Sequence, residues 1–423
     1  MMNSRENHGL KWVSKTFGLE PAWTAEPDLE AAKQRVVDAL AITEGAIDIS
    51  FFTQGGFNKI YNIFISGSSE KLIFRVALPV DPGYKTLSEV ATLQWMRQNT
   101  NLPVPKVVAS DTSRDNSVGF EWILMNKLPG NPLADVWKLV SYQAKEALVK
   151  RFAEFSSVLF RKQLSGIGNI YSASAPKVDR IVSAAFFWGN HLRQDVNRGP
   201  FSSSKDWVEA RLALSEYDCR ETLSKYLGKS DVDSDEEADL EDGQRTLEIV
   251  NKLRPLVSKI LPAGDGQEVE PSILFHDDLN NHNVLVDESG ALTGVVDWEC
   301  VSAIPLWKAC NYPLFLESKP RDKKPDQTRY RREADGELTQ LFWEHMMKHE
   351  CTSLRRVYFD EIARLEPGWM EIYRKSTMKR DPDLAVQICD GEFVAQHISD
   401  WAGEAIAGGS NIRSLKDRID EVW

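Results

Sequence analysis

The most informative segment of the sequence is HDDLNNHNVLV, which runs from His276 to Val286. It places two adjacent aspartates and several amide or imidazole side chains directly before an apolar run. Such acceptors fit a surface turn, because Asp and Asn hydrogen-bond their own backbone in turns. They also fit a metal-phosphate site, because Mg²⁺ takes oxygen ligands and leaves positions for phosphate oxygens. The residues that follow decide between these two interpretations.

The sequence after the motif predicts a β-hairpin, with strand NVLV, turn DESG and strand LTGVV. Asn283 enters the first strand and Asp297 leaves the second, so antiparallel pairing brings both side chains to one end. Asp278 lies in the loop that leads to that end. We therefore expect three oxygen-bearing side chains to converge.

These three side chains match what phosphoryl transfer requires. One carboxylate and one amide can hold a metal ion on nucleotide phosphates, and a second carboxylate can accept the proton of an attacking hydroxyl. The spacing His-x-Asp-x4-Asn, followed by an aspartate after a hairpin, is the kinase catalytic-loop pattern. We predict Asp278 as the catalytic residue, and Asn283 and Asp297 as metal ligands.

On these residues the chain resembles a known family, the aminoglycoside phosphotransferases and choline kinase-like small-molecule kinases. Their catalytic loop usually reads HGDLHPGN; here it reads HDDLNNHN, with Asp277 where glycine is common and Asn280 where histidine is common. VVDWE resembles the metal-binding IDW or IDFE segment, and RGPF with SKDWVEARL resembles a branch widespread in filamentous fungi. The likeness runs from about Phe51 to Trp307.

The resemblance implies an α+β, bilobal protein-kinase-like fold that uses ATP and Mg²⁺. A small antiparallel sheet with one helix would form the N-terminal lobe, followed by a large, mainly helical lobe. The resemblance also implies that His276 supports the loop, whereas a zinc pair with His282 lacks a third ligand at suitable spacing. Strand and helix patterns place a helical extension at 1–46, a strand-rich lobe at 47–128 and a mainly helical lobe at 129–423. The resemblance implies that the lobe at 47–128 binds the nucleotide and that the lobe at 129–423 carries catalysis and substrate binding.

One candidate phosphate-binding segment is TQGGFNKIY, between two predicted strands. Kinases fold a glycine-rich loop there, whose backbone N–H groups reach phosphate. A plain tight hairpin is the alternative interpretation. The predicted nucleotide-binding residues of this segment are Gly55, Gly56, Phe57 and Asn58.

The third strand of the family normally gives a lysine to the phosphates, paired with a glutamate on the next helix. The aligned residue is Arg75, which carries the same charge with a different geometry, and its natural partner is Glu89. Alternatively, Glu89 is a solvated residue in the first helical turn, where acids are favoured. Asn126 and Leu128 belong to the connector between the lobes, where adenine usually meets backbone groups.

Composition and charge limit the classes of partner that the chain can bind. The chain has 423 residues, is 42% hydrophobic and carries a formal charge of -12, which fits a globular protein and argues against a nucleic-acid binder. Eight carboxylates lie in 231–242, within an acidic insertion near 229–243, and we predict a solvated loop there. The wider stretch 172–243 is also predicted to be irregular.

Cysteine spacing and hydropathy favour the cytoplasm. The five cysteines lie far apart, which indicates a reducing compartment rather than a disulfide framework. No segment approaches eighteen consecutive apolar residues, so we predict no membrane insertion. Acidic residues among the first thirty argue against a mitochondrial presequence.

The acceptor is expected to be a hydroxyl of a small molecule, because a helix-like run begins near Pro305 and the segment between Asp297 and that run is too short to hold a substrate peptide. Asp390, Glu392 and Asp400 could attract a cationic amine or amino-sugar, or could simply be solvated helix faces. The competing class is a catalytically weak or inactive nucleotide-binding or scaffold protein on the kinase fold, including one of mitochondrial-maintenance type. Substrate identity, ATP against GTP, and oligomeric state are not fixed by the sequence.

Overall fold

The computed structural model describes residues 9–15, 18–226, 229, 233–261, 268–408 and 412–421. Its strands are β1 Leu10–Lys15, β2 Gly18–Trp23, β3 Ile47–Gln54, β4 Asn58–Ile65, β5 Leu72–Ala77, β6 Val107–Asp111, β7 Glu121–Asn126, β8 Asn131–Pro132, β9 Leu164–Ser165, β10 Asn169–Ile170, β11 Val178–Asp179, β12 Pro271–Phe275, β13 Val284–Val286, β14 Leu292–Val295 and β15 Ser302–Pro305. Its α-helices are α1 Leu29–Leu40, α2 Tyr84–Asn99, α3 Leu133–Val136, α4 Tyr142–Arg161, α5 Ala184–Phe187, α6 Ser204–Tyr226, α7 Ser234–Ile260, α8 Leu306–Ala309, α9 Gln340–Leu365, α10 Pro367–Lys375, α11 Thr377–Gln387, α12 Ala395–Ala407 and α13 Leu415–Ile419.

The N-terminal part is built on one antiparallel sheet with the strand order β3-β4-β5-β7-β6. Successive residues of β5 point to opposite faces, as the two-residue period of a strand requires. Phe74 faces helix α1 and lies in one buried cluster with Val36. Ile73 faces helix α2 and packs in another cluster with Val90. Arg75 shares the strand face of Ile73, so its side chain is directed towards α2.

The C-terminal part is mainly helical. Helices α4 and α9 pack together, as do α6 and α7, and their apolar faces fill one large buried core. Short strands β12 to β15 lie beside this core and carry the catalytic-loop motif. The predicted α+β, protein-kinase-like fold, with a strand-rich N-terminal part and a helical C-terminal part, is confirmed.

The prediction of irregular structure over 172–243 is wrong for much of that range. Helix α6 runs from Ser204 to Tyr226, and α7 begins at Ser234 inside the acidic segment predicted as a loop. Asp233 caps α7 and forms a capping box with Glu236. Carboxylates are favourable in the first turn of a helix, so the acidic run starts a helix. Residues 231 and 232 lie outside the described residues.

The N-terminal extension is only partly helical. Helix α1 is present, but β1 and β2 form an antiparallel hairpin that the sequence did not predict. The ring of Trp12 in this hairpin lies 4.9 Å from that of Trp188, so a distant aromatic contact holds it. The division at 47 and 129 stays a prediction.

Candidate active site

The catalytic-loop motif lies between β12 and β13, where hydrogen bonds among its own side chains fix its shape. Asn283 Nδ2 donates to the backbone oxygen of Asp278 at 2.8 Å and to Asp278 Oδ2 at 2.9 Å. Asn280 Nδ2 donates to Asp278 Oδ1 at 2.7 Å. The Asp278 residue is nevertheless exposed. Its carboxylate is therefore oriented by two amides while it stays open to solvent.

The predicted hairpin is confirmed and joins Asn283 to the segment that carries Asp297. Val284 pairs with Val295, and the backbone N–H of Val296 donates to the carbonyl of Asn283 at 3.0 Å. Asp297 has a φ of 63°, in the left-handed region that non-glycine residues rarely adopt. Such a conformation persists only where the surroundings enforce it, and it is common at functional sites.

His276 contacts the backbone behind the loop. Its Nε2 lies 3.1 Å from the carbonyl oxygen of Val296, and its ring lies edge-on to Trp298 with the centroids 5.0 Å apart. Trp298 in turn donates from Nε1 to the carbonyl of Val295 at 2.8 Å. These contacts connect the start of the motif to the residues on both sides of Asp297.

Arg75 lies at the centre of a buried group of charges. It forms an ion pair with Glu89 of helix α2, so the predicted contact is present. Its Nη2 also lies 3.2 Å from Asp297 Oδ1 and 2.8 Å from Glu299 Oε2. The Arg75 side chain is 7% exposed and that of Glu89 is 3% exposed, which rules out the alternative of a solvated Glu89. The part of this pair in nucleotide binding stays a prediction.

A second buried cation, Lys85, belongs to the same group. Its Nζ lies 2.5 Å from Glu299 Oε2 and 3.2 Å from Asn58 Oδ1, and its side chain is 2% exposed. Asn58 Nδ2 donates to Glu299 Oε2 at 2.9 Å. Glu299 therefore accepts from β4, β5 and α2 at once, and it connects the sheet to the segment that follows Asp297.

The charged group shifts the pKa values of its carboxyl groups in different directions. Burial alone would raise the pKa of Glu299, but Lys85 and Arg75 outweigh burial and lower that pKa to about 2. Burial raises the pKa of Glu89 to about 7, although Arg75 and Lys85 oppose the change. Partial burial and the nearby Glu299 carboxylate raise the pKa of Asp297. Of these three carboxyl groups, Glu299 alone has a lowered pKa.

The predicted glycine-rich loop is the turn between β3 and β4. The N–H of Gly55 donates to the carbonyl of Asn58 at 3.0 Å, and Phe57 packs edge-on against Phe187 with ring centroids 5.3 Å apart. At Gly55 and Gly56 an added Cβ would meet no described atom within 4 Å. The two glycines therefore leave open space beside the turn.

The predicted connector residues lie where β7 leaves the sheet. The N–H of Asn126 donates to the carbonyl of Lys106 at 3.1 Å, and its side chain accepts from the Lys106 N–H. Leu128 packs closely against Gly294 of the catalytic hairpin. Asn126 and Leu128 thus join the sheet to the hairpin, and their contact with adenine stays a prediction.

Lys85 is a residue of this site that the sequence did not predict. The spacing could have indicated Lys85, because Lys85 and Glu89 lie four residues apart on α2 and therefore on one helix face. The three acidic residues considered for a cationic substrate, Asp390, Glu392 and Asp400, are exposed near the C-terminal helices. The Asp400 carboxylate accepts from Gln396 at 2.7 Å, which fits the solvated-face interpretation.

The comparison with protein families decides the relationship. The model of the phosphotransferase enzyme family matches residues 60–308, which is more than half of the chain. The chain belongs to the phosphotransferase enzyme family. The resemblance predicted from the catalytic loop is therefore confirmed.

Several fungal proteins are similar to this phosphotransferase-family chain. A subtelomeric hrmA-associated cluster protein of Aspergillus fumigatus is 25% identical over 311 residues, covering 63% of this chain and 60% of the relative. The clavilactone A biosynthesis cluster protein Y of Ampulloclitocybe clavipes is 29% identical over 272 residues, covering 64% and 60%. The altered inheritance of mitochondria protein 9 of Clavispora lusitaniae is 24% identical over 306 residues, covering 63% and 50%. The chain thus spans 60% or less of the length of these relatives.

Solved structures with a similar course of the chain include two kinases. An ethanolamine kinase of Plasmodium vivax gives a TM-score of 0.44 at 9% identity, covering 92% of this chain and 86% of that one. A choline kinase of Cryptosporidium parvum gives a TM-score of 0.39 at 14% identity, covering 93% and 94%. Neither likeness bears on the substrate of this family member.

The donor set of the family member fits a magnesium ion shared with phosphates. Asn283 uses Nδ2 for both of its bonds to Asp278, so its carbonyl oxygen Oδ1 is the atom that can ligate a cation. Asp297 adds a carboxylate that is 39% exposed. Among the described residues, no three His, Cys, Asp or Glu side chains form a metal cage. Mg²⁺ is usually held by one or two protein oxygens and completed by phosphates and water, so this set is sufficient.

None of the helices in the described residues is both long and apolar enough to cross a membrane.

Proposed function

We propose that the chain is an ATP-dependent phosphotransferase that transfers the γ-phosphate to a hydroxyl of a small metabolite. Asp278 orients and deprotonates the hydroxyl, while Asn283 and Asp297 hold Mg²⁺. Arg75, paired with Glu89, steadies the phosphates. The turn carrying Gly55, Gly56, Phe57 and Asn58 covers the phosphates, and Asn126 and Leu128 border the adenine.

The observation that carries this proposal is the junction between Asp278 and Asn283. The amide of Asn283 holds the Asp278 carboxylate at 2.9 Å and points its own oxygen elsewhere. The hairpin then sets Asn283 beside the residues that lead into Asp297. A base and two metal ligands are the parts that phosphoryl transfer requires, because catalysis there is mostly positioning and charge stabilisation.

Each residue would act at a stated atom. Asp278 accepts the proton of the acceptor hydroxyl on a carboxylate oxygen as that hydroxyl oxygen bonds to phosphorus and the bond to the ADP oxygen breaks. Mg²⁺, when bound, neutralises charge on the phosphate oxygens. Arg75 keeps Asp297 in place through its 3.2 Å contact. Asn280 and Asn283 keep the base from rotating away from the hydroxyl.

The family and the short segment between Asp297 and helix α8, which begins at Leu306, support the proposed class of acceptor. We propose a small-molecule hydroxyl, with a cationic amine or amino-sugar among the classes to test, in the cytoplasm. Nucleic acid is not an expected partner, because the chain carries a charge of -12.

Transfer of labelled phosphate from ATP to a mixed metabolite extract tests the proposal. The parent chain should label at least one small molecule in the presence of Mg²⁺. Asp278→Asn should reduce that labelling by about 100- to 10,000-fold, because it removes the base and keeps the size of the side chain. Its nucleotide affinity, measured by thermal shift, should stay close to that of the parent.

Asp277→Asn is the matched control, since it makes the same change one residue away and Asp277 is exposed as well. This variant should retain most of the turnover. Equal labelling by the parent and by Asp278→Asn would contradict the assigned role of Asp278.

A nucleotide-binding protein with weak or no catalysis is the second candidate. Two observations favour this candidate. The first is that Arg75 stands at the usual lysine position and is already in contact with three carboxylates. The second is that a relative is named for altered inheritance of mitochondria. Saturable Mg²⁺-dependent ATP binding without labelling of any metabolite would support this candidate, and import of a tagged chain into mitochondria would support the maintenance type.

A further inference from the structure

Glu299 is the meeting point of three donors from the N-terminal part. Arg75 Nη2 lies 2.8 Å and Lys85 Nζ 2.5 Å from its Oε2 atom, and Asn58 Nδ2 donates to the same atom at 2.9 Å. The Glu299 side chain is 13% exposed, and those of Arg75 and Lys85 are 7% and 2% exposed. One carboxylate oxygen therefore satisfies both buried cations.

The contacts leave neither cation unpaired. Arg75 is in contact with Glu89, Asp297 and Glu299, and Lys85 is in contact with Glu299. A polyphosphate chain that enters beside Asp297 would find the two Nη groups of Arg75 and the ammonium of Lys85 already in contact with carboxylates, whereas Arg75 Nε is buried without a hydrogen-bond partner among the described residues. Phosphate oxygens must therefore replace the Glu299 carboxylate before they can bond to the Lys85 ammonium.

Burial explains why a carboxylate is needed when phosphate is absent. A buried ammonium or guanidinium without a partner strongly destabilises a fold, because it loses hydration and gains nothing in return. Lys85, the most deeply buried cation of the group, depends on Glu299 and on the neutral Asn58 oxygen. The chain thus carries an anion of its own where an anionic ligand could bind.

Of the three carboxylates, Glu299 is the one suited to give way. Glu89 lies on the regular helix α2 and is 3% exposed. Asp297 is the proposed metal ligand. Glu299 lies in a turn between β14 and β15, outside helix and strand, next to Cys300, whose φ is 60°. A short irregular segment can move its side chain without breaking a helix or a strand.

We propose that Lys85 is a phosphate-binding residue of the nucleotide site and that Glu299 occupies its place until phosphate arrives. The inference rests on the proposed nucleotide site and adds to it a second cation, on the helix rather than on the strand. Phosphate oxygens then take over at least the Lys85 contact, and the Glu299 carboxylate is released towards solvent.

Binding of inorganic tripolyphosphate in EDTA, measured by titration calorimetry, tests the inference without adenine and without metal. The parent should bind weakly, because Glu299 competes for both cations. Glu299→Gln should bind about tenfold more tightly or better, because the competing charge is gone and the cations remain. The same variant should melt at a lower temperature than the parent without ligand, and tripolyphosphate should raise its melting temperature more than that of the parent.

Glu350→Gln is the matched control. Glu350 is a carboxylate of similar exposure, 15%, that lies 2.8 Å from the buried ammonium of Lys145. It should lower the melting temperature and leave tripolyphosphate affinity unchanged. The double variant Lys85→Met/Glu299→Gln should lose the gained affinity, which assigns the gain to Lys85.

If Glu299→Gln binds tripolyphosphate no more tightly than the parent does, the inference is overturned. Glu299 would then hold the two cations in place without competing with phosphate. If Glu299→Gln does not fold, Glu299→Asp takes its place. Its carboxylate is one methylene closer to the backbone and cannot reach both cations, so this variant should also bind tripolyphosphate more tightly than the parent. A failure to do so overturns the inference equally. Failure of the proposed function shows separately, as an absence of metabolite labelling with Mg²⁺ and ATP.

Discussion

The two halves of the candidate site differ in how they are built. The catalytic loop is open, and its side chains contact neighbours two to five residues away, as Asn280 and Asn283 do with Asp278. The charged group around Arg75 is buried, and its contacts join residues 14 to 241 positions apart. The first half owes its shape to local sequence, and the second owes it to the fold. Removing a residue should therefore affect catalysis in the first half and stability in the second.

The largest effect on stability is expected for Arg75→Met. This change leaves buried carboxylates without their shared cation and should lower the free energy of unfolding by about 3 to 5 kcal/mol. Urea denaturation followed by circular dichroism measures it. Arg364→Met removes an exposed arginine with a similar carboxylate contact and should leave the free energy of unfolding nearly unchanged. Equal losses in both variants would show that the Arg75 group is not a stabilising core.

Asp297→Asn should reduce turnover strongly and change stability little. Asp297 belongs to both halves, but it is 39% exposed and shares Arg75 with two other carboxylates. We expect turnover to fall by about 100- to 1,000-fold through lost charge stabilisation. The free energy of unfolding should change by less than about 1 kcal/mol. Kinetic measurements check the loss of turnover, and urea denaturation checks the free energy of unfolding. A stability loss as large as that of Arg75→Met would contradict the separation of the site into a catalytic half and a stabilising half.

A steric change at the junction of the halves should have a smaller effect. Gly130 has a φ of 103°, and an added Cβ would collide with Thr293 Oγ1 and lie 2.7 Å from the carbonyl oxygen of Val286 in the hairpin. Gly130→Ala should therefore cost about 1 to 3 kcal/mol more than Gly119→Ala. Gly119 also has a positive φ, of 80°, but its Cβ would meet no described atom within 4 Å. Urea denaturation of both variants separates collision from backbone strain.

The smallest predicted effect concerns pH. Both ring nitrogens of His191 lie 2.7 Å from acceptors, the Ala185 carbonyl and Asp218. Burial alone would lower the pKa of His191, but the Asp218 carboxylate outweighs it and the pKa is raised. A raised histidine pKa stabilises the fold fully below the unfolded value of about 6.5 and loses that contribution as pH rises through the folded value.

Urea denaturation between about pH 6 and pH 9 should show this loss in the parent, amounting to about 1 kcal/mol or less. In His191→Gln that component should be missing. His282→Gln, which changes an exposed histidine, should follow the parent. A parent and a His191→Gln variant with parallel pH profiles would contradict the role of this ion pair.

The same comparison explains what the sequence could predict. The catalytic loop and the hairpin were predictable, because motif spacing and strand period act over short distances. The Arg75 contact with Glu89 was predictable only from the resemblance to the kinase family, which pairs a cation of this strand with a glutamate of the next helix. Lys85 was not, because its contact with Glu299 depends on how α2 lies over the sheet. The start of α7 was misread, because a run of carboxylates satisfies both a solvated loop and the first turn of a helix. The β1–β2 hairpin was missed, because the distant Trp188 holds it.

The most direct test of the metal site is a crystal structure grown with Mn²⁺ and a non-hydrolysable ATP analogue, with the ion located by anomalous scattering. We expect one anomalous peak, at a Mn²⁺ ion that is coordinated by Asn283 Oδ1, by an Asp297 carboxylate oxygen and by the phosphates, beside Asp278. A triphosphate bound with its metal away from these side chains, or no peak at saturating nucleotide, would contradict it.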